Sequence, residues 1–376
     1  DLTYKYSINK SISHKDVVFS GASSHRVMYD GKFINRYFEP LKEGDNFLFL
    51  EYDSGSDPKI YSEDIIEVER LKKYYLLKHK FTRGNKKITT PGIDDFNILL
   101  KNNGLEDFIL TREILYSYYF PIYLYSEIYY DIFIKTTPKI VYGLCYYSPA
   151  MFGMFHAANK LKIENYDIQH GAQGPLHSMY TFANLPSTGL NTLPEKFWLW
   201  DEYSYNHIQK WLSGNVNHKA ELRGNPWQNF VLNDNEFLIE TTKKIILYTM
   251  QSQSLDDYML EAIKNTPEEY QWWLRMHPRM KNEEYIYSQL QENNIENKVE
   301  INKANEYPLP ELLISCSIHI SKFSGSIIEA ELLNKHSLIL EETGCNVYKE
   351  LIEKGNATGI LNPTPEEIIK NILIQS

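Results

Sequence analysis

The residues best suited to chemistry stand in short polar segments, each just after an apolar run. Ser324-Gly325-Ser326 separates the strand-like Ile318–Ile320 from a helical pattern, IIEAELLNK. A strand that feeds a small-residue turn and then a helix presents backbone N–H groups to an anion. Two hydroxyls add donors, and Gly325 lets a phosphate approach closely. Glu329 falls one turn beyond Ser326 on the same face, where its carboxylate could accept from ribose hydroxyls. The same letters also spell a capping box, serine with glutamate three residues on, which needs no ligand.

His277-Pro278 follows the strand-like Trp272–Arg275. An imidazole there can donate to a phosphate or protonate a leaving group. Arg279 adds positive charge beside it, and a plain turn before proline is the alternative. The loop Thr249–Ser254 follows Lys244–Tyr248 and offers Gln251 and Ser252 to a diphosphate or an acceptor. Gln169-His170-Gly171 follows Tyr166–Ile168 and opens a long loop rich in Gly, Pro and Ser. Long ordered loops are often functional. His170 is the first choice for a general base or acceptor ligand, with Gln169 beside it, and a hydrogen-bonded structural histidine is the alternative. His177 is a weaker choice on the same loop. Asp201 and Glu202 read as the charged start of a helix. His25, Glu51 and Asp53 lie in two loops near the N-terminus and are acceptor-side candidates. No Walker loop, GxGxxG, HExxH or convincing DxD occurs, so no metal and no resident cofactor is expected.

These segments need elements to position them. Short apolar runs alternate with longer helical patterns, which reads as βαβ units around parallel sheets. The first set has strands near Asp16–Phe19, Asn46–Leu50, Lys139–Tyr142, Tyr166–Ile168 and Phe197–Trp200. Gly224, Asn225 and Pro226 then punctuate the chain. The second set runs through Lys244–Tyr248, Trp272–Arg275, Val299–Ile301, Ile318–Ile320 and Ser337–Leu340. The expected architecture is α/β, with two Rossmann-like domains, 1–222 and 223–376, facing each other across a cleft. Ligands in such sheets bind beyond the carboxyl ends of the strands, where the polar segments fall.

Composition narrows the function classes. The chain has 376 residues and a formal net charge of −10. That acidity argues against nucleic acid as a partner. Three cysteines, none in a CxxC pair, argue against a disulfide framework and a cysteine zinc site. No basic-then-apolar leader is visible at the start, so a cytoplasmic setting is expected. The tyrosine-rich stretch Ile114–Ile134 is broken by Pro121, Glu127 and Asp131, so it does not read as a membrane span. It reads as an aromatic core helix, or as a surface facing a membrane or a sugar acceptor.

Taken in order, Gln169-His170-Gly171, His277-Pro278 and Ser324-Gly325-Ser326 resemble the landmarks of bacterial surface-polysaccharide glycosyltransferases of the GT-B fold. The capsule and lipopolysaccharide enzymes are the nearest look, and the HP motif with a later serine-rich helix start is similar to Kdo- and sialyltransferase-type enzymes. The segment SGSIIEAELLNKHSLIL also looks like one found in nucleotide-sugar enzymes that include the UDP-GlcNAc 2-epimerases. The resemblance spans about Tyr166 to Leu340. It implies metal-independent transfer of a sugar from a CMP-, UDP- or GDP-linked donor to a glycan or lipid-linked glycan, in capsule or O-antigen synthesis. Peripheral membrane association would suit such an acceptor. It further implies that His277, Ser324 and Ser326 hold the donor phosphate and that Glu329 binds ribose. The sequence departs from the sialyltransferase pattern in its acidic-acidic-Gly motif, which Tyr29-Asp30-Gly31 and Tyr52-Asp53-Ser54-Gly55 only approximate. The alternatives are a UDP-GlcNAc 2-epimerase-like enzyme, which needs no acceptor, and a non-catalytic glycan-binding subunit.

Overall fold

A computed structural model describes residues 12–53, 65–82, 90–232, 239–277, 280 and 283–375. The chain divides by packing into two compact units. The first holds Asp1–Ile168, Leu185–Trp198 and Leu212–Ala220; the second holds Gln169–Asn184, Leu199–Trp211 and Glu221–Ser376.

The first unit is built on a seven-stranded sheet. Its strands are β1 (Val17–Gly21), β4 (Phe47–Glu51), β5 (Ile65–Glu67), β6 (Ile140–Leu144), β7 (Glu164–Ile168), β8 (Lys196–Leu199) and β9 (Lys219–Leu222), in the order β5-β4-β1-β6-β7-β8-β9. β1 pairs in parallel with both β4 and β6, so the winding reverses there. Strands covered on both faces need continuous apolar runs, and VVF and FLFL supply them. Phe19 sits at the centre, stacked on Phe38 at 5.1 Å, Phe49 at 5.1 Å and Tyr142 at 5.5 Å. Each such ring buried contributes roughly 1.5–3 kcal/mol.

A separate hairpin joins β2 (Arg26–Tyr29) to β3 (Lys32–Asn35). Asp30 and Gly31 form its turn with φ of 48° and 69°. That pair of positive φ values is the type I′ signature, which favours Asp-Gly. Tyr29-Asp30-Gly31 is therefore a hairpin turn rather than an approximate acidic motif. The tyrosine-rich stretch forms one helix, Arg112–Thr136, capped by the Thr111 side chain, which accepts from the Ile114 N–H at 3.2 Å. Leu124, Ile128 and Ile132 are buried, whereas Tyr118 and Tyr119 are exposed. Its buried phenols find partners: Tyr125 donates to Glu69 at 2.5 Å, and Tyr129 bonds Ser20 at 2.8 Å. Among the described residues, no helix is long and apolar enough to cross a membrane.

The second unit carries a six-stranded sheet of β10 (Lys244–Thr249), β11 (Tyr270–Arg275), β12 (Val299–Glu300), β13 (Ile318–Ser321), β14 (Ser337–Ile339) and β15 (Ala357–Gly359). The order is β12-β11-β10-β13-β14-β15, parallel throughout. Side chains alternate across it, as strand geometry requires. Ile246, Tyr248, Trp272 and Ile320 pack on one face with the helices Asp257–Asn265 and Pro365–Gln375. Ile245, Leu247 and Trp273 pack on the other with Leu312 and Leu313.

Gln169–Asn184, the first part of the loop after β7, and the helix Glu202–Trp211 belong to this second unit. His170, expected on an N-terminal domain ending at 222, therefore packs with the Ser324–Ser326 turn in one unit.

Candidate active site in the second unit

Two strand-end loops build the site. One follows β7 and carries Gln169, His170 and Gly171. Gln169 is fully buried, and its side chain is saturated. Its Nε2 donates to the Gly171 carbonyl at 2.9 Å, Asp201 at 2.7 Å and Ser204 at 3.1 Å. Its Oε1 accepts from the Trp200 N–H at 2.6 Å. Gln169 thus fixes the loop. Asp201 is drawn into the same knot and accepts from the Ser204 N–H at 2.8 Å, as a helix-start residue does.

The other loop follows β13. Here Gly325 comes against Gly171: a Cβ on Gly325 would sit 3.1 Å from the Gly171 Cα. A methyl at that position would press on backbone, so this approach favours glycine. Tyr348 is buried and donates its hydroxyl to the Ser324 carbonyl at 2.7 Å. Gln251 accepts from the Phe323 N–H at 2.7 Å. Tyr203 donates to the Val347 carbonyl at 3.0 Å.

These loops enclose a cavity of about 260 Å³ whose walls include His170, His177, Tyr203, Phe323, Gly325 and Tyr348. Among the described residues, no carboxylate lines it. Burial lowers the pKa of His177, which favours the neutral imidazole. Tyr203 is pushed up to about 12, chiefly by burial, so it stays a neutral donor. His177 meets the ring of Tyr180 edge-on at 4.8 Å, and the Tyr180 carbonyl accepts from Trp211 at 2.8 Å. The cavity combines neutral donors, imidazoles able to move a proton and a backbone approach free of side chains. Gln173, one residue from the lining, is buried with neither end of its amide hydrogen-bonded. Such a group in a native site calls for a water or ligand.

Other expected residues stand elsewhere. His277 is exposed at the end of β11 and does not line the cavity; its carbonyl accepts from the Met280 N–H at 2.8 Å. β10 lies between β11 and β13. The two strand ends are thus two strand spacings apart, about 10 Å. Arg279 and Pro278 lie outside the described residues. The helix after the serine turn, Ser326–Glu331, has only six residues, so its dipole is small. The Ser326 N–H donates to Ser324 Oγ at 3.2 Å, and its hydroxyl turns inward to Thr249 Oγ1 at 2.9 Å. Ser326 is therefore not a direct phosphate donor, whereas Gly325 reaches the cavity. Glu329 is buried, does not line the cavity, and its carbonyl accepts from Gln228 at 3.3 Å. Ser252 donates to the Ser254 carbonyl at 2.8 Å, closing its own loop.

The acceptor-side candidates of the first unit are committed to structure. Glu51 forms a buried ion pair with Arg26 at 2.5 Å. Burial raises its pKa, with Arg26 acting against that rise. Asp53 accepts from the Ser23 N–H at 2.6 Å. His25 accepts at Nδ1 from the Ala22 N–H at 3.3 Å and stands edge-on to Tyr37. Tyr203, Phe323 and Tyr348 were missed because lone aromatics in helical or loop text carry no spacing signal. Among the described residues, no group of three His, Cys, Asp or Glu side chains could hold a metal ion.

No family model matches the chain, and no curated protein matches it. Solved structures do. A putative UDP-N-acetylglucosamine 2-epimerase from Listeria monocytogenes superposes with a TM-score of 0.55 at 12% identity, covering 96% of this chain and 87% of that one. The UDP-GlcNAc 2-epimerase from Neisseria meningitidis, bound to UDP-GlcNAc, gives 0.53 at 15% identity over 95% and 90%. The enzyme from Methanocaldococcus jannaschii gives 0.52 at 13% identity over 96% and 92%. The fold is thus α/β and GT-B-like, with two Rossmann-like units.

Proposed function

We propose that this chain is a nucleotide-sugar enzyme that breaks the anomeric C–O bond of a UDP-linked sugar. One observation carries the proposal: in the second unit, two imidazoles and two phenols line a cavity against the bare Gly325 turn. Loss of the diphosphate from C1 leaves an oxocarbenium-like centre, which makes the neighbouring C2–H acidic. A neutral imidazole can then take that proton. Return of the proton to the other face of C2, with re-addition of UDP at C1, gives the C2 epimer. UDP-sugar 2-epimerisation is the first form of the proposal, because the solved structures with this fold include UDP-GlcNAc 2-epimerases.

A second form, sugar transfer, is favoured by a different observation. The carboxylates at the strand ends are engaged: Glu51 by Arg26, Asp53 by Ser23, Asp167 by the Tyr146 N–H at 3.2 Å, and Asp201 by Gln169. Proton removal from carbon asks for a stronger or better placed base than removal from a hydroxyl. An imidazole-lined site suits the hydroxyl of a glycan acceptor. In this form the product is a surface glycan, and the protein works at the cytoplasmic face of a membrane.

Incubation with UDP-GlcNAc and no acceptor, followed by proton NMR in deuterated water, separates the forms. Epimerisation places deuterium at C2 and yields the manno epimer. Transfer leaves C2 untouched and consumes donor only when a glycan acceptor is added. If UDP-, CDP-, GDP- and CMP-linked sugars all remain unchanged with and without acceptors, the proposal fails.

A further inference from the structure

Directly beneath the Ser324–Ser326 turn lies a buried polar layer that the sequence motifs do not contain. At its centre is His319 on β13, with no solvent exposure. Its Nδ1 bonds Ser337 Oγ on β14 at 2.8 Å. Its Nε2 meets Thr249 Oγ1 on β10 at 2.9 Å and Ser326 Oγ at 3.3 Å. Thr249 in turn bonds Ser321 Oγ at 2.9 Å and Ser326 Oγ at 2.9 Å. Three hydroxyls, from two further strands and the helix start, thus converge on one imidazole, and Ser321 on β13 joins the layer through Thr249. Apolar packing would have filled this layer more simply, since a buried polar network stabilises only when every member is satisfied.

We infer that His319 is a positioning residue, which holds Ser326 inward and so sets Gly325 at the wall of the nucleotide-sugar cavity. The inference rests on the proposed function for its ligand but not for its geometry. Ser326 is adjacent to Gly325, and Gly325 already sits closely against Gly171, where a methyl would be tight. A shift of the Ser326 side chain moves that peptide directly. The imidazole stays neutral, since burial takes its pKa down to about 3, so each ring nitrogen can keep one fixed role. His319 touches no substrate; it acts through Ser326.

The test compares three substitutions in the full chain. His319→Gln reaches the position of Nε2 and can still meet Ser326. His319→Asn reaches only the position of Nδ1 and meets Ser337. His319→Leu meets neither. Affinity for UDP, measured by titration calorimetry, should fall about 10-fold to 100-fold in the Leu and Asn variants and recover substantially in Gln. A purely structural role would instead make affinity follow melting temperature alone. Equal UDP affinity in wild type, Asn and Gln overturns the positioning role. Hydrogen exchange across residues 322–327 needs no ligand. It should speed about 10-fold in His319→Asn and not in His319→Gln. Unchanged exchange in the Asn variant overturns the inference whatever the nucleotide result. Faster exchange in a protein whose wild type binds no nucleotide overturns the proposed function alone. If the Leu variant does not fold, Ser326→Ala, which removes only the hydroxyl, must show the same loss of affinity and faster exchange.

Discussion

The two units treat the polar groups at their strand ends differently. In the first, they pair with one another. Arg26 neutralises Glu51, Ser20 meets Tyr129, and Asp53 takes the Ser23 N–H. In the second, part of the polarity is spent on a frame, Gln169 with Asp201 and His319 with Ser326, and the frame leaves His170, His177 and Tyr203 facing a cavity. A strand-end acid or histidine is thus a weak sign of chemistry by itself. What separates site from scaffold is whether the group faces a cavity.

That contrast can be broken from either side. The largest effect is expected in the first unit. Arg26→Ala leaves Glu51 buried without its partner, and urea denaturation should show a loss of about 3–5 kcal/mol. UDP affinity of the molecules that remain folded should be unchanged. An unaltered denaturation midpoint would mean the pair is not the scaffold described here.

In the second unit, His170→Ala should behave in the opposite way. Turnover of a UDP-sugar should fall about 100-fold, the lower end for a proton-transfer group. The melting temperature should move little, because a half-buried wall residue is lost rather than a core one. A variant that keeps wild-type turnover would remove His170 from the chemistry and leave His177 as the imidazole to test.

A third effect, small over any one pH unit, concerns pH. The folded pKa of His319 lies near 3, well below its value of about 6.5 when unfolded. Between those values the unfolded chain binds the extra proton. Stability is therefore full above about pH 6.5 and falls as pH drops, by about 1.4 kcal/mol per pH unit from this group. Burial lowers His177, His207 and His218 in the same direction, so only the difference between wild type and His319→Gln isolates the term. Parallel stability curves for the two proteins would show that His319 is not held neutral.

Much of the fold was legible in the sequence. Runs such as VVF, FLFL and KIILY are apolar on both faces and bounded by polar turns, which only a covered parallel sheet explains. The short edge strands β5, β9 and β15 were not read, because three or four half-polar residues give no period. The β2–β3 hairpin was spelled by Asp30-Gly31 but had been weighed as an acidic motif. Within the site, the glycine approach was legible, and the inward turn of Ser326 was not. Gly171 and Gly325 were picked out by their motifs and do meet. Ser326 carried the right residue type for a phosphate, yet its hydroxyl is claimed by Thr249 and His319, which no local spacing reveals. His277 shows the same limit: strand order, not sequence order, decides which strand ends are neighbours.

The central claim is that the second-unit cavity takes a nucleotide sugar. The most direct measurement is the melting temperature of the wild type and of Gly325→Val with UDP, CDP, GDP and CMP added in turn. A ligand at about 100 times its dissociation constant stabilises the native state by about 2.7 kcal/mol. The account predicts a clear rise with UDP for the wild type and none for Gly325→Val, whose added side chain meets Gly171. No rise with any nucleotide, or an equal rise in both proteins, would contradict it.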